Sequence, residues 1–170
     1  MANYLGWLYT HSIDVAMMSL IIADKLEYND KKLFYIGLGS LLHDVGKLML
    51  PKSMIERKEP FNQTEQLLFF QHCELGLSSV ESYGLPKECT DIILQHHERL
   101  DGSGYPKGIK ENKISQSSKI VMIADTIDVI TSERPDGQRA YKMGEAIAMI
   151  KTGTEFSNEL ISLLENTLQQ

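Results

Sequence analysis

The stretch LGSLLHDVGKLML, residues 38–50, sets a histidine and an aspartate inside an otherwise apolar run. Its apolar residues cover most sides at helical spacing, which predicts a central, buried helix within a segment running from residue 31 to 48. Burying an ionisable pair such as His43 and Asp44 is costly unless a partner compensates for the lost hydration. We therefore expect this pair to meet such a partner, for example a metal ion, inside a helical core.

Helical spacing of apolar residues extends over almost the whole chain, and no sustained two-residue alternation indicates a sheet. The predicted class is all-α, a single-domain helical bundle over residues 1–170. A glycine- and proline-rich loop is expected at 101–115 and a turn at 135–137. The remaining sequence predicts helices over residues 5–27, 31–48, 63–83, 87–98, 116–132 and 138–151, and a last amphipathic stretch from the cap Ser157 to Leu168.

Composition limits the classes of partner. With 170 residues, of which 42% are hydrophobic, the chain is the usual size of one compact domain. The net charge of -6 provides no positive field for DNA or RNA, so a polynucleotide is not expected as a partner. A small anionic ligand would need metals or a few local basic side chains.

Two further features concern the cellular compartment of the protein. No apolar run approaches the roughly 20 residues of a membrane span, and no signal peptide is recognisable, so the domain is expected to be cytoplasmic, with no membrane contact. Cys73 and Cys89 have neither the spacing of a metal site nor that of a disulfide framework. We interpret both as reduced thiols that pack in the core.

The five histidines lie on four different predicted helices: His11, His43, His72, His96 and His97. A lone histidine is more often a hydrogen-bonded core or surface residue than a ligand. Here, however, two carboxylates also interrupt an apolar run, IVMIADTIDVI, at Asp125 and Asp128. These donors exceed what one ion of four to six ligands uses, which indicates two adjacent metals. Paired ions activate water and polarise a phosphoryl oxygen, the chemistry of phosphodiester hydrolysis.

A lysine and a loop have two interpretations each. Lys47, four residues after His43, is predicted to project from the same helix face and to reach a phosphate; the alternative is a surface cation at a helix end. The loop at 101–115 is either a simple surface turn or a functional loop, and its position directly after His96 and His97 favours the second.

Four motifs carry a family resemblance: HDVGK (43–47), HCELG (72–76), HHERLDGSGYPKG (96–108) and ADTIDVITSERP (124–135). In order, spacing and residue type they resemble the HD-GYP branch of the HD hydrolases, and the resemblance covers nearly the whole chain. It implies a helical bundle of the HD-domain type that linearises cyclic di-GMP to pGpG, often continuing to GMP, with a centre of two or three metals, commonly iron or manganese.

The resemblance also implies roles for individual residues. Asp44 would bridge the two ions, and Lys47 would contact a substrate phosphate. The positions that match metal ligands are His11, His43, Asp44, His72, His96, His97 and Asp125. The positions that match substrate contacts are Lys47, Gly104, Tyr105, Pro106 and Arg134, and the supporting acids are Glu98, Asp101 and Asp128.

Three positions depart from the family pattern. Trp7 stands where members with three metals carry a glutamate, so we expect two ions rather than three. Asp14 replaces a frequent arginine, which alters the local charge. Ser157 replaces a frequent aspartate but still caps a helix well.

Two other functions are kept as alternatives. The chain could bind a cyclic dinucleotide as a receptor with little turnover, a hypothesis motivated by Trp7 and Asp14. It could also be an HD hydrolase of another nucleotide or phosphoester, which the intact GYP motif disfavours. The resemblance further implies that a sensor or receiver region lies outside this sequence, and that a diguanylate cyclase (GGDEF) domain is a candidate partner of the loop.

Overall fold

The structure, a computed structural model, describes residues 4–133 and 137–168, and all regular elements within these ranges are helical. This confirms the all-α class. The α-helices are α1 Tyr4–Asp24, α2 Asp30–Leu42, α3 Lys52–Ile55, α4 Gln63–Phe70, α5 His72–Val80, α6 Lys87–Gln95, α7 Gln116–Thr131, α8 Met143–Lys151 and α9 Asn158–Leu168. Short 3-10 helices occupy Val45–Met49, Glu81–Tyr83 and Glu111–Lys113.

The central element is α7, which packs against α1, α6, α8 and α9. Apolar side chains of α7 are buried on most sides, among them Ile120, Ile123 and Ile127, each fully buried. Removing one isoleucine side chain from water contributes roughly 1.5–3 kcal/mol, so this helix anchors the core. Its burial also means that Asp125 and Asp128 point into the protein rather than into solvent.

The predicted single helix over residues 31–48 is wrong. Helix α2 ends at Leu42, His43 caps it, and Asp44 turns the chain (φ -100, ψ 8) before the 3-10 helix begins at Val45. Lys47 therefore does not share a helix face with His43. The His43 ring and the Asp44 carboxylate are both buried and face each other, with Nε2 3.4 Å from Oδ2.

A second predicted helix, residues 63–83, is also divided. Its start is confirmed, because Asn62 and Glu65 form a reciprocal capping box. The chain then breaks at Gln71, between α4 and α5, and ends in a 3-10 turn before Gly84 (φ 60). The first residue of α5, His72, is fully buried, whereas the last residues of α4 are half-buried.

The remaining helix boundaries agree more closely with those predicted from the sequence. Helix α1 ends at Asp24, before the predicted residue 27, and α6 ends at Gln95 rather than 98. Helix α8 begins only at Met143, five residues later than predicted. The loop at 101–115 is confirmed, apart from its short 3-10 helix, and the Ser157 Oγ accepts a hydrogen bond from the Leu160 N–H at 3.4 Å. Most of the predicted turn at 135–137 lies outside the described residues.

Helix α1 corrects the expectation that no stretch of the chain is long and apolar enough to span a membrane. By length and composition it could cross a membrane, with a mean hydropathy of 1.3 over its most apolar window. In the fold, however, 39% of that window is buried, and the buried side includes Trp7, Leu8 and His11. The apolar character of α1 thus partly reflects its packing in the core.

A close backbone approach sets the distance between the first motif, HDVGK, and the second, HCELG. A Cβ atom added to Gly46 would lie 1.9 Å from the His72 carbonyl oxygen and 2.5 Å from the Gly76 nitrogen. Both neighbours are backbone atoms of α5, which no side-chain rotation can move. The glycine of HDVGK is therefore required for the contact that brings Asp44 beside His72.

We predict that Gly46→Ala destabilises the fold by about 3 kcal/mol, because the added methyl group forces α5 away from the 3-10 helix. Thermal unfolding followed by circular dichroism measures the effect. Gly144→Ala in α8 is the control, since its added Cβ meets nothing within 4 Å. An unfolding midpoint for Gly46→Ala equal to that of the control would contradict this account.

Candidate metal centre

Three histidines lie directly past the ends of helices, where the last carbonyl groups have no partner within the helix. His43 caps α2, His72 follows α4 after one residue, and His96 caps α6. Each ring places Nδ1 on a carbonyl oxygen of the preceding turn: Ser40 at 2.6 Å, Phe69 at 2.8 Å and Ile93 at 3.0 Å. Because a carbonyl only accepts, Nδ1 carries the hydrogen and Nε2 presents a lone pair to the interior.

His11 is oriented by a carboxylate. It lies inside α1, and its Nδ1 donates to Asp128 Oδ2 at 2.6 Å. Asp128 in turn accepts from the Ser132 hydroxyl at 2.8 Å through its other oxygen. The Trp7 indole stacks on the His11 ring, with centroids 4.8 Å apart and planes 11° from parallel. Asp128 and Trp7 therefore hold the ring so that Nε2 faces the same interior as the other histidines.

Asp44 stands between two sets of imidazole nitrogens. Its Oδ1 lies 3.4 Å from the Nε2 of His72 and 3.6 Å from that of His96. Its Oδ2 lies 3.4 Å from the Nε2 of His43 and 3.6 Å from that of His11. One carboxylate thus offers one oxygen to each set, the arrangement of a bridging ligand.

The donors form two adjoining groups, each with ligand atoms within 4.8 Å of one another. The groups are Asp44, His72, His96 and His97, and His11, His43 and Asp125. Asp125 links them a second time, since its Oδ1 is 3.2 Å from His11 Nε2 and its Oδ2 is 3.6 Å from His97 Nδ1. All seven residues expected from the sequence as metal ligands therefore meet at one place.

The chemistry of these donors fits a pair of transition-metal ions. Asp44 Oδ1 and His97 Nε2 are buried and have no hydrogen-bond partner. A buried lone pair without a donor is costly, and a cation satisfies it. Imidazole with carboxylate suits iron, manganese and zinc, and donors bound to one ion at about 2.1 Å lie about 3 to 3.5 Å apart. The separations across the centre lie close to this range.

Charge divides the residues into anions and neutral rings. Burial alone would raise the pKa of Asp44 and of Asp125, but Lys47 and His43 beside the first, and His11 and His97 beside the second, hold both values well below their usual range. Burial lowers the pKa of His72 to about 3. The ring of His72 is thus neutral at pH 7 and ready to ligate.

His11 differs from the other histidines. Burial by itself would lower its pKa, but hydrogen bonds with Asp125, Asp128 and Asp44 raise it to about 11. Without metal, the imidazolium of His11 therefore balances part of the acidic charge. Asp14 lies nearby, and burial together with the charge of Asp128 raises the pKa of its carboxyl group.

Lys47 reaches the centre although the predicted helix face is wrong. Its side chain is only 8% exposed, and Nζ lies 2.5 Å from Asp44 Oδ2. Burial would lower the pKa of this ammonium group, but Asp44 raises it. Lys47 is therefore a buried cation beside the shared carboxylate, and not a surface lysine at a helix end.

The loop at 101–115, which contains the GYP motif, is hydrogen-bonded to the turn that carries His96 and His97. The Tyr105 N–H donates to the His97 carbonyl at 3.0 Å, and a Cβ on Gly104 would lie 2.4 Å from the same oxygen. The Glu98 carboxylate, 1% exposed, accepts the N–H groups of Lys107 at 2.9 Å and Ile109 at 3.0 Å. Glu98 thus holds the loop through two backbone N–H groups.

Two other expected residues belong to this loop. Asp101 is exposed and accepts from the backbone and hydroxyl of Ser103, so it is not brought to the centre. Pro106 is half-buried. Burial raises the pKa of Tyr105, which keeps its hydroxyl protonated and able to donate. Arg134 lies outside the described residues.

Sequence reasoning missed Phe70, whose ring stacks on Tyr105 with centroids 3.7 Å apart and planes 10° from parallel. No periodicity distinguishes it from its neighbour Phe69. It also missed the carbonyl groups of Ser40, Phe69 and Ile93. A signal for these exists, because each lies three residues before a ligand histidine.

The fold and the site together define a helical domain with a two-part histidine and aspartate centre. The sequence profile of the HD domain family matches residues 1–155. The chain therefore belongs to the HD domain family, and the resemblance drawn from its motifs is confirmed at this level.

Individual relatives support the assignment to the HD domain family. A cyclic di-GMP phosphodiesterase of Pseudomonas aeruginosa is 32% identical over 140 residues, which cover 82% of this chain and 34% of that protein. A 3'3'-cGAMP-specific phosphodiesterase of Vibrio cholerae is 28% identical, over 93% of this chain and 35% of that protein. The solved structure of an HDG"Y"P protein from Bdellovibrio bacteriovorus matches with a TM-score of 0.78 at 25% identity, covering 96% of this chain and 53% of that chain. The chain spans about a third of the length of these curated relatives.

The shared carboxylate gives a prediction about metal content. We expect Asp44→Ala to lose both ions, because each group loses its common ligand, and His72→Ala to retain about half of the metal. Elemental analysis of anaerobically purified protein measures this. Asp101→Ala, which removes an exposed carboxylate outside the centre, should match the wild type. Wild-type metal content in a folded Asp44→Ala protein would refute the assignment.

The raised pKa of His11 gives a second prediction. Below about pH 11 the His11 ring of the metal-free protein is an imidazolium, with a second ring proton that a metal must displace. The His72 ring is already neutral at pH 7. Metal binding at pH 7 should therefore release about one proton per chain from this residue. Calorimetric titration in two buffers with different ionisation enthalpies measures it. The number of protons released should fall in the His11→Gln variant. Heats of metal binding that are the same in both buffers would contradict the prediction.

Proposed function

We propose that this chain is a metal-dependent phosphodiesterase domain that hydrolyses cyclic di-GMP to linear pGpG, with GMP as the product if the second bond is also cut. The observation that carries the proposal is the pair of adjoining donor groups that share Asp44. Relatives named as cyclic di-GMP phosphodiesterases support the substrate.

Two ions are proposed, iron with manganese as the alternative. One would be held by His11, His43 and Asp125, the other by His72, His96 and His97, with Asp44 common to both. When bound, such a pair supplies a nucleophile at neutral pH and neutralises charge on phosphoryl oxygens. A third ion is not proposed, because Trp7 covers the His11 face with an apolar ring instead of a carboxylate.

The protein's own groups would act on the substrate phosphate. Lys47 is a buried cation beside Asp44, where it can stabilise negative charge that grows on the phosphoryl group. The Tyr105 hydroxyl, kept protonated by burial, can donate a hydrogen bond to the same group. The resemblance adds Arg134 as a further contact. Asp128 and the helix-end carbonyls hold the ligand rings in the orientation that turnover requires.

Substrate range, partner and location belong to the same proposal. Relatives include both cyclic di-GMP and 3'3'-cGAMP phosphodiesterases, so the hybrid dinucleotide is the competing substrate. A diguanylate cyclase domain is proposed to contact the loop, whose Lys107 and Gly108 are exposed. A cytoplasmic location is expected for a domain that acts on such nucleotides.

The test is product analysis of anaerobically purified, iron- or manganese-loaded protein. Cyclic di-GMP, 3'3'-cGAMP and a generic phosphodiester are incubated separately, and products are separated by chromatography. We expect pGpG from cyclic di-GMP at the highest kcat/KM. Binding without turnover would instead indicate the receptor, and preferential cleavage of the generic ester would indicate another HD hydrolase; either result contradicts the proposal.

Lys47 gives a specific prediction for this reaction. Lys47→Met should lower kcat by about 100-fold, because it removes one preorganised positive charge from the phosphoryl group, while both ions stay bound. The matched control is Lys113→Met, the same change at an exposed lysine. Steady-state kinetics with elemental analysis of both variants measures the effect. Unchanged kcat in a metal-replete Lys47→Met protein would remove Lys47 from the mechanism.

A further inference from the structure

The Tyr105 ring lies in a slot formed by two other rings. Phe70 stacks on one face, with centroids 3.7 Å apart and planes 10° from parallel. His97 lies on the Tyr105 ring at a centroid distance of 4.6 Å, tilted by 33°. The phenol is thus confined between a residue of the metal centre and a residue of α4.

The backbone bonds of the loop do not account for this confinement. The Tyr105 N–H bond to His97 and the two bonds to Glu98 fix the main chain of the loop. A tyrosine side chain still rotates about two torsions when its backbone is fixed. The ring contacts therefore restrict the side chain, and the stacked contact with Phe70 has the shortest centroid distance among them, 3.7 Å against 4.6 Å for His97 and 6.1 Å for His72.

Phe70 and His72 point to different sides of the chain where α4 meets α5. Phe70 is the last residue of α4, and His72 is the first residue of α5, with Gln71 between them at φ -65 and ψ -13. Residues two apart on a helical backbone point about 200° apart, so Phe70 contacts the loop while His72 Nε2 faces Asp44. The junction of α4 and α5 thus contributes to both the metal centre and the loop.

We propose that Phe70 is a positioning residue that holds the Tyr105 ring against His97 at the edge of the metal centre. This inference rests on the proposed function only in its kinetic consequence. The positioning itself concerns the two rings and is measured without substrate.

The first measurement is 19F NMR of protein labelled with 3-fluorotyrosine and loaded with zinc, which is diamagnetic. The Tyr105 signal is identified by its loss in Tyr105→Phe. In Phe70→Leu the signal should shift and move toward the position of an exposed fluorotyrosine; in Phe70→Tyr, which keeps a ring, it should stay. Phe61→Leu is the control, because Phe61 packs on Phe69 and not on Tyr105. An unchanged Tyr105 signal in Phe70→Leu overturns the proposal.

The second measurement is kinetic. Phe70→Leu should lower kcat for cyclic di-GMP by about tenfold and leave KM within about twofold, since a displaced catalytic group slows the chemical step. In a Tyr105→Phe background the same substitution should change kcat by less than about twofold, because Phe70 acts through the hydroxyl. An equal loss in both backgrounds, or loss of metal in Phe70→Leu, overturns the proposal by showing action through His72.

The two proposals fail separately. If the 19F signal shifts in Phe70→Leu but the wild-type protein cuts no cyclic dinucleotide, the positioning stands and the proposed function fails. If the wild-type protein hydrolyses cyclic di-GMP and the signal does not move, the function stands and the positioning fails.

Discussion

The contact between helix-end carbonyls and histidine Nδ1 atoms is the constraint on which the centre depends. At the ends of α2, α4 and α6 an imidazole N–H donates to a carbonyl group of the last turn, where the helix offers few donors of its own. The same bond fixes the tautomer and aims Nε2 inward. Helix termination and ligand orientation are thus one interaction, and the three rings converge because the three helix ends do.

Electrostatics then favours a metal centre over an ordinary polar core. Two carboxylates with depressed pKa values lie among neutral imidazoles, and the cations close to them are His11 and Lys47. This leaves Asp44 Oδ1 buried without a hydrogen bond. A site of this kind is costly in a core unless cations occupy it, so the stability of the domain and its capacity to hold metal ions depend on the same carboxylate.

The interruptions of the predicted helices lie at the metal centre. The helix predicted over 31–48 ends next to Asp44, which stands between the imidazoles, and the helix predicted over 63–83 divides at Gln71, beside His72. Gly46 brings the two segments together, since its missing side chain allows the 3-10 helix to approach α5.

The sequence alone determined the all-α class and the position of most helices, because apolar periodicity is visible in one dimension. Ionisable residues inside apolar runs indicated a metal site, and the family resemblance of the motifs supplied the set of seven donors. Tertiary structure decided where the helices end, that Glu98 binds the backbone of the loop and Asp101 binds Ser103, and that Phe70 closes the slot around Tyr105. The contacts of Glu98 and Phe70 join residues of different segments. Apolar periodicity does not show them, because they arise only when the helices and the loop pack.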